Sequence, residues 1–136
     1  LSIADEIFIA GGNAKPAFDA SFSKYPKISF PNGDLVAPDA YENVIKQLAE
    51  KIEKSNFILW NGPLGIYEKG YKEGTMKLAQ MLALSGKEVM VGGGDTLATI
   101  KEQDLFDKFT FVSSGGGAML DFLANGTLPG IEALGN

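Results

Sequence analysis

Apolar residues in the second half of the chain alternate between short continuous runs and stripes with helical spacing. The runs lie at residues 57–60, 89–91 and 109–112, and each is typical of a strand buried on both faces of a sheet. The stripes predict helices from Pro38 to about residue 52, from a Thr75 N-cap to Gly86, from about Asp95, and up to a C-cap at Asn125 and Gly126. Strands that alternate with helices predict right-handed crossovers and an α/β fold with a parallel sheet.

Residues 1–37 carry a weaker pattern. Residues 6–10 and 27–30 are candidates for short strands, and residues 11–16 and 21–26 are typical of loops. The segment Gly11-Gly12-Asn13-Ala14-Lys15 has the glycines of a phosphate-binding loop, but the Gly-Lys-Ser/Thr ending of such a loop is missing. Because two glycines commonly punctuate a turn, we expect residues 11–16 to form a plain loop.

Composition limits the function mainly through what is missing. The 136 residues include no cysteine and no histidine, which excludes disulfides, a thiolate nucleophile, zinc–sulfur sites and Ser-His-Asp chemistry. The net charge of −5 disfavours nucleic acid or a membrane as partner, but it permits a small anion bound by backbone amides. No apolar run reaches membrane-spanning length, so a reducing cytoplasm is the expected compartment. The start at Leu1 rather than methionine suggests part of a longer polypeptide.

Glycine is in excess, with 17 in the chain where average usage gives about ten. Eight of them fall in three loops that follow the apolar runs, at residues 61–68, 92–96 and 113–118. If the strands are parallel, these loops meet at the carboxyl edge of one sheet, where open α/β folds bind ligands. A triple glycine that leads into a helix lets backbone N–H groups approach an anion, so the sequence predicts a phosphate site at this edge.

Three side chains in these loops fit a nucleotide site. Asp95 would repel phosphate unless a Mg²⁺ ion bridges the two, and Mg²⁺ prefers one or two carboxylates with phosphate oxygens and water. Thr96 can add a hydroxyl hydrogen bond, and Glu68 is placed to accept from a sugar diol. Plainer explanations exist for each feature: closely packed glycine turns, an N-cap at Asp95, a surface charge at Glu68 and a core position for Trp60. The sequence lacks the G-x-G-x-x-G and P-loop patterns, which disfavours a dinucleotide dehydrogenase or a standard P-loop NTPase.

At these residues the chain closely resembles phosphoglycerate kinase, near the end of the nucleotide-binding, C-terminal domain of that two-domain family. The matching segments, in the same order and spacing, are residues 60–68, Gly74-Thr75, residues 92–96, residues 113–118 and Leu128-Pro129-Gly130. The resemblance covers about residues 35–134 and implies a Rossmann-like, three-layer parallel sheet with helices on both faces. Residues 1–136 would then form an incomplete C-terminal domain, and the glycerate-binding domain would be absent.

The resemblance implies transfer of a phosphoryl group between 1,3-bisphosphoglycerate and ADP, which gives 3-phosphoglycerate and ATP in glycolysis. On the nucleotide, Glu68 would bind the ribose, Pro63 would lie near the base, and Asn61 would lie by the phosphates. The residues implied to hold the phosphates and their Mg²⁺ are Gly93, Gly94, Asp95 and Thr96, with Asp95 at the metal. The residues implied to stabilise the phosphoryl group in flight through backbone donors are Gly94, Gly115, Gly116 and Gly117.

The family's glycerate domain, its basic cluster and the lysine-bearing first half of its nucleotide domain have no counterpart in this sequence. We therefore expect the chain to be inactive alone and to meet 3-phosphoglycerate or 1,3-bisphosphoglycerate only through the missing domain. The full-length enzyme implied by the resemblance is a monomer. The alternative is a non-catalytic Mg-nucleotide-binding or interaction module on the same sheet, which also predicts binding of Mg-ADP. Another sugar- or acyl-phosphate kinase is disfavoured, because it would have to reproduce all three loops.

Overall fold

A computed structural model describes residues 3–125, apart from the side chain of Phe122. The strands are Ile7–Phe8 (β1), Ile28–Ser29 (β2), Phe57–Asn61 (β3), Glu88–Gly92 (β4) and Phe111–Ser113 (β5). The α-helices are Ala14–Asp19 (α1), Glu42–Lys54 (α2), Glu73–Leu84 (α3), Gly94–Glu102 (α4) and Gly116–Asn125 (α5). Helices therefore alternate with strands along the chain, as the sequence predicts for an α/β fold.

The main sheet has the order β3-β4-β5 and all of its strands are parallel. Its register pairs Asn61 with Gly92 and Gly92 with Ser113, so the three strands end at the same level. The loops that follow them consequently emerge together at one edge, which confirms the arrangement predicted from sequence. A second, two-stranded parallel sheet joins β1 to β2.

The core lies on one face of the main sheet. Trp60, Val89 and Val91 are buried there together with Leu82 of α3 and Ile100 of α4. Because successive strand residues point to opposite faces, Gly92 belongs to the other face, and a Cβ added to it would lie 2.8 Å from Met119 Cε of α5. Helices thus pack on both faces, as predicted.

The second face is covered less completely, and this corrects one prediction. The apolar runs were expected to be buried on both faces, but Phe57 of β3 and Phe111 of β5 are each 52% exposed. Both lie in edge strands of the three-stranded sheet, on the face opposite Val89 and Val91. The third run also becomes a strand later than predicted, from Phe111, while Phe109 is a buried side chain that precedes it.

The first part of the chain contains a helix that the sequence pattern does not predict. Residues 11–16 form a 3-10 turn, Gly11–Asn13, followed by the start of α1, so the expectation of a plain loop is wrong. The reason is tertiary packing: Gly11 adopts φ +63°, and a Cβ there would lie 2.6 Å from Pro63 O. Ala14 is buried. The two candidate strands of this region are confirmed as β1 and β2, each two residues long.

Several helix ends also differ from the predicted ones. The second helix begins at Glu42, and Pro38 lies outside it. The third begins at Glu73, so Thr75 lies inside the helix and is not its N-cap. Gly86 follows that helix with φ +70°, as predicted for a helix end. The last helix reaches Asn125, while Gly126 and the segment Leu128-Pro129-Gly130 lie outside the described residues. No helix within residues 3–125 is both long enough and apolar enough to cross a membrane.

Candidate functional site

The three loops predicted from sequence come into contact at the carboxyl edge of the main sheet. A Cβ added to Gly116, the first residue of α5, would lie 2.3 Å from Asn61 Oδ1 and 2.5 Å from Gly93 N. A Cβ at Gly92 would lie 3.0 Å from the same Asn61 oxygen. The end of β3, the start of α4 and the start of α5 therefore pack backbone against backbone, with the Asn61 carboxamide between them.

A hydrogen bond also joins the loop after β3 to α4. Gly62 N–H donates to Thr96 Oγ1 at 3.1 Å, and Thr96 is fully buried. Thr96, predicted as a phosphate ligand through its hydroxyl, thus uses that oxygen as an acceptor within the protein. Because Thr96 is fully buried, its hydroxyl holds the loop after β3 against α4 and is not open to a ligand.

Residues 62–68, called here the β3 loop, are fixed at several points. Trp60 Nε1–H donates to Gly62 O at 2.8 Å, and the indole is buried in the core rather than open for stacking. Leu64 N–H donates to Thr75 Oγ1 at 2.9 Å. Ile66 N–H donates to Pro38 O at 2.8 Å. The loop that carries Pro63 and Glu68 is therefore bonded to three different parts of the fold.

The glycines at this edge fall into two groups. Close packing explains Gly92 and Gly116, and Gly93 has φ +98°, which favours glycine. Gly94 and Gly117, in contrast, have open space where a Cβ would point. Packing within the described residues therefore does not require glycine at these two helix starts, although a ligand close to the backbone would.

The N-terminus of α4 is open to an anion. The N-cap of α4 is Gly93, and Asp95 lies inside the helix, so the alternative assignment of Asp95 as the N-cap is wrong. Gly94 and Asp95 are exposed in the first turn. The N–H groups of a first turn have no partner inside their own helix, and the helix dipole adds positive potential at this end.

Asp95 is the acidic side chain of this edge, and its surroundings fit Mg²⁺ bound together with phosphate. Within residues 3–125, no group of three or more Asp, Glu, His or Cys side chains is placed to hold a metal alone. A hard cation that takes one protein carboxylate and completes its shell with phosphate oxygens and water needs no such group. The exposed Asp95 carboxylate beside free helix N–H groups meets that requirement.

Glu68 lies apart from the glycine contacts, in the 3-10 turn Tyr67–Lys69, and is exposed. The sequence analysis missed two side chains that contact the end of α4: Tyr67 of this turn, and Lys72, which precedes α3. Tyr67 O–H donates to Glu102 Oε1 at 3.3 Å, and Lys72 Nζ donates to the same oxygen at 3.2 Å. The hydrogen bond to Glu102 raises the pKa of Lys72. Tyr67 and Lys72 are each at least 30 residues from Glu102 in the sequence, so no local pattern could have indicated these contacts.

A buried carboxylate behind the β3 loop was also missed as a site-forming residue. Asp39 is 8% exposed and accepts hydrogen bonds from Ala40 N–H at 2.8 Å and from Gly74 N–H at 3.2 and 3.3 Å. Asp39 also lines a cavity of about 280 Å³ together with Leu64. The lining of that cavity includes none of the site residues predicted from sequence.

Comparisons with known proteins agree with the resemblance. The phosphoglycerate kinase family model matches residues 6–126, which extends the match to residues before 35. The chain is 46% identical over 92 residues to a phosphoglycerate kinase of Clostridium kluyveri, covering 67% of this chain and 23% of that protein. It is 39% identical over 122 residues to one of Finegoldia magna, covering 89% of this chain and 31% of that protein.

A solved structure is also similar. The chain matches a phosphoglycerate kinase from Coxiella burnetii with a TM-score of 0.76 and 25% sequence identity, covering 96% of this chain and 46% of that one. The chain spans less than a third of the length of the two curated relatives described above.

Proposed function

Because the chain belongs to the phosphoglycerate kinase family, we propose that it forms part of the nucleotide-binding domain of such an enzyme. The complete enzyme would transfer a phosphoryl group between 1,3-bisphosphoglycerate and ADP in the glycolysis of the cytoplasm. Residues 1–136 would supply the Mg-ATP or Mg-ADP site. The glycerate substrates would bind to a domain outside this chain, since the relatives are more than three times as long as the matched part.

One observation carries this proposal: the starts of α4 and α5 pack against each other through Gly93 and Gly116. Two helix N-termini therefore direct their free N–H groups toward the same edge of the sheet. Phosphoryl transfer depends mainly on positioning and on stabilising negative charge, and fixed backbone donors supply both. The open space at Gly94 and Gly117 lets a phosphate approach these donors closely.

Each remaining site residue receives a role from its position. Asp95 would bind Mg²⁺, which would neutralise phosphate charge when it is bound. Asn61 would donate from its carboxamide to a phosphate oxygen. Thr96 is fully buried, so it would support the phosphate site through its hydrogen bond with the Gly62 N–H rather than by direct contact. Pro63 and Glu68 lie along the β3 loop, and they would contact the base and the ribose hydroxyls respectively. The Gly115 N–H donates to Ser113 Oγ at 3.3 Å, so Gly115 would support the start of α5 at the phosphoryl site rather than donate to the phosphoryl group.

We expect the isolated chain to lack transferase activity. The three loops, residues 61–68, 92–96 and 113–118, contain no lysine or arginine. Cationic groups usually stabilise the charge that spreads over a transferring phosphoryl group. If the rest of the polypeptide supplies these cationic groups, the chain is part of an enzyme. If nothing supplies them, the chain is a non-catalytic nucleotide-binding module.

Isothermal titration calorimetry with Mg-ADP tests the site. We expect Asp95→Asn to weaken Mg-ADP binding at least tenfold, because the carboxylate acts through the cation. Binding of metal-free ADP should not weaken and should become tighter, because the uncompensated carboxylate no longer repels the phosphates. Asp107→Asn, at an exposed aspartate in the 3-10 turn Phe106–Lys108, is the matched control and should bind normally. Equal affinities of wild type and Asp95→Asn would contradict the assignment of Asp95 to the metal.

A complementation assay tests the enzyme assignment. Addition of the remaining family polypeptide to this chain should produce ATP from ADP and 1,3-bisphosphoglycerate. Mg-ADP binding without any transfer after complementation would favour the non-catalytic module instead.

A further inference from the structure

Gly74 and Thr75 belong to the sequence pattern of the family resemblance, yet the proposed chemistry gives them no role. They lie in the first turn of α3, on the side of the β3 loop that faces the protein interior. Both are buried, and Thr75 has no exposed surface. Neither residue can therefore contact a bound nucleotide directly.

Thr75 instead contacts the β3 loop at its centre. Its Oγ1 accepts the Leu64 N–H at 2.9 Å, and Leu64 is only 7% exposed. Leu64 follows Pro63 directly, so this hydrogen bond fixes the backbone beside the residue assigned to the base. A buried N–H that lost its acceptor would carry the full desolvation penalty, which makes the bond a strong constraint on the loop conformation.

Asp39 and two glycines fix the middle of the same loop. Gly74 N–H donates to the Asp39 carboxylate. A Cβ at Gly74 would lie 2.6 Å from Asp39 Oδ1, and a Cβ at Gly65 would lie 2.7 Å from the same atom. The carboxylate thus lies between the β3 loop and the start of α3, and both positions require glycine for this approach.

We propose that Thr75 is a positioning residue that holds the β3 loop in its nucleotide-binding conformation, with Asp39 and Gly74 stabilising the same arrangement. This proposal rests on the function proposed above. Pro63 and Glu68 are contacts on one loop, and a loop that is fixed before binding pays less conformational entropy when the nucleotide binds. Thr75 would thereby act on affinity without touching the ligand.

The test compares Thr75→Val, which keeps the shape but removes the acceptor, with Thr75→Ser, which retains a hydroxyl. Thr99→Val is the matched control, because Thr99 is also fully buried and its hydroxyl donates only to Asp95 O within α4. Amide hydrogen exchange measured by NMR should show Leu64 exchanging about tenfold faster in Thr75→Val, while Thr75→Ser and Thr99→Val stay close to wild type. The fluorescence of Trp60, whose indole donates to Gly62 O, should change in the same variant only.

Mg-ADP affinity supplies the functional measurement. We expect it to fall about tenfold in Thr75→Val and to recover in Thr75→Ser. If Thr75→Val does not fold, Asp39→Asn provides the second variant, with faster exchange expected at Gly74 and the same loss of affinity. Unchanged Leu64 exchange in Thr75→Val, or faster exchange without a loss of affinity, would overturn the positioning role.

The two proposals fail in different ways. Wild-type chain that does not bind Mg-ADP would contradict the proposed nucleotide site, while the exchange rates would still show whether Thr75 fixes the loop. Normal Mg-ADP binding that depends on Asp95 but not on Thr75 would leave the nucleotide site intact and refute the positioning role alone.

Discussion

The Thr96 hydroxyl oxygen accepts the Gly62 N–H at 3.1 Å, which joins the loop after β3 to the first turn of α4. The two groups come from different strand–helix connections, 34 residues apart in the chain. The bond therefore fixes the spacing between Asn61 and the N-terminus of α4. The Gly62 N–H needs a buried acceptor, and this need explains why a residue with a hydroxyl group, Thr96, follows Asp95.

Thr96→Val should lower the free energy of unfolding by about 1–3 kcal/mol, because the Gly62 N–H loses its buried acceptor. Thr96→Ser should recover most of this loss, since the hydroxyl is retained. Urea unfolding followed by circular dichroism measures both values. Equal stabilities of the valine variant and wild type would show that water or another group can replace the hydroxyl at Gly62.

Alanine at Gly116 should destabilise the protein, whereas alanine at Gly117 should not. Gly116→Ala places a Cβ 2.3 Å from Asn61 Oδ1, and the resulting overpacking should cost about 1–3 kcal/mol. Gly117→Ala meets open space and should change stability by between zero and a gain of about 1 kcal/mol, because alanine favours the helix.

Nucleotide binding completes this comparison. If a phosphate approaches α5 closely, Gly117→Ala should weaken Mg-ADP binding even though the protein becomes no less stable. Thermal unfolding and calorimetry on the same samples separate the two effects. A Gly117→Ala variant with full affinity would place the ligand away from this helix start.

The two faces of the main sheet should respond differently to truncation. Val91 is fully buried on the core face, and Val91→Ala should cost about 2 kcal/mol through lost contacts and a residual cavity. Phe111 is larger but 52% exposed, so Phe111→Ala should cost only about 1 kcal/mol. Urea unfolding of the two variants measures the difference, and a larger loss for Phe111 would show that its face is covered in solution.

Acid stability should depend on Glu6. A hydrogen bond from Lys51 of α2, followed by one from the Ser29 hydroxyl, lowers the pKa of Glu6 below its ordinary value of 4.5. A lowered folded-state pKa gives stability that is complete above the unfolded pKa and is lost as the pH falls through the folded pKa. Glu6→Gln should therefore be less stable than wild type near neutral pH, and this difference in the free energy of unfolding should become smaller as the pH falls below 4.5.

The size of this effect should be small, because the Glu6 side chain is 47% exposed and solvent screens exposed ion pairs. Urea unfolding at several pH values between 3 and 7 measures it. Glu53→Gln, at an exposed position of α2, is the control. Its free energy of unfolding should differ from that of wild type by the same amount at every pH in this range. A stability difference between Glu6→Gln and wild type that does not change with pH would show that protonation of Glu6 does not affect stability.

Sequence reasoning located the main sheet and the candidate site because both depend on local signals. The runs that became β3 and β4 are compact and apolar, and the glycines that follow them are concentrated in three short segments. Parallel strands place their carboxyl ends at one edge. The convergence of these loops therefore followed from the order of elements alone.

The two short strands before residue 38 were predicted, but helix α1 was not, for a physical reason. Helix α1 has six residues, and a helix of that length is not stable by its own propensity. It depends on Gly11 packing against the Pro63 carbonyl, a contact between residues that are far apart in sequence. The prediction that the strands are buried on both faces was wrong for a similar reason. The exposure of Phe57 and Phe111 depends on which elements cover each face of the sheet.

The sequence by itself determined the fold class, the family and the identity of the loops that form the candidate site, because periodicity and glycine spacing are local properties of a chain. Only the tertiary structure decided what each of these residues contacts. It placed the Thr96 and Thr75 hydroxyls on loop N–H groups and separated the closely packed Gly116 from the open Gly117. Hydrogen-bond partners and free space depend on groups brought together from distant parts of the chain, which no local pattern records.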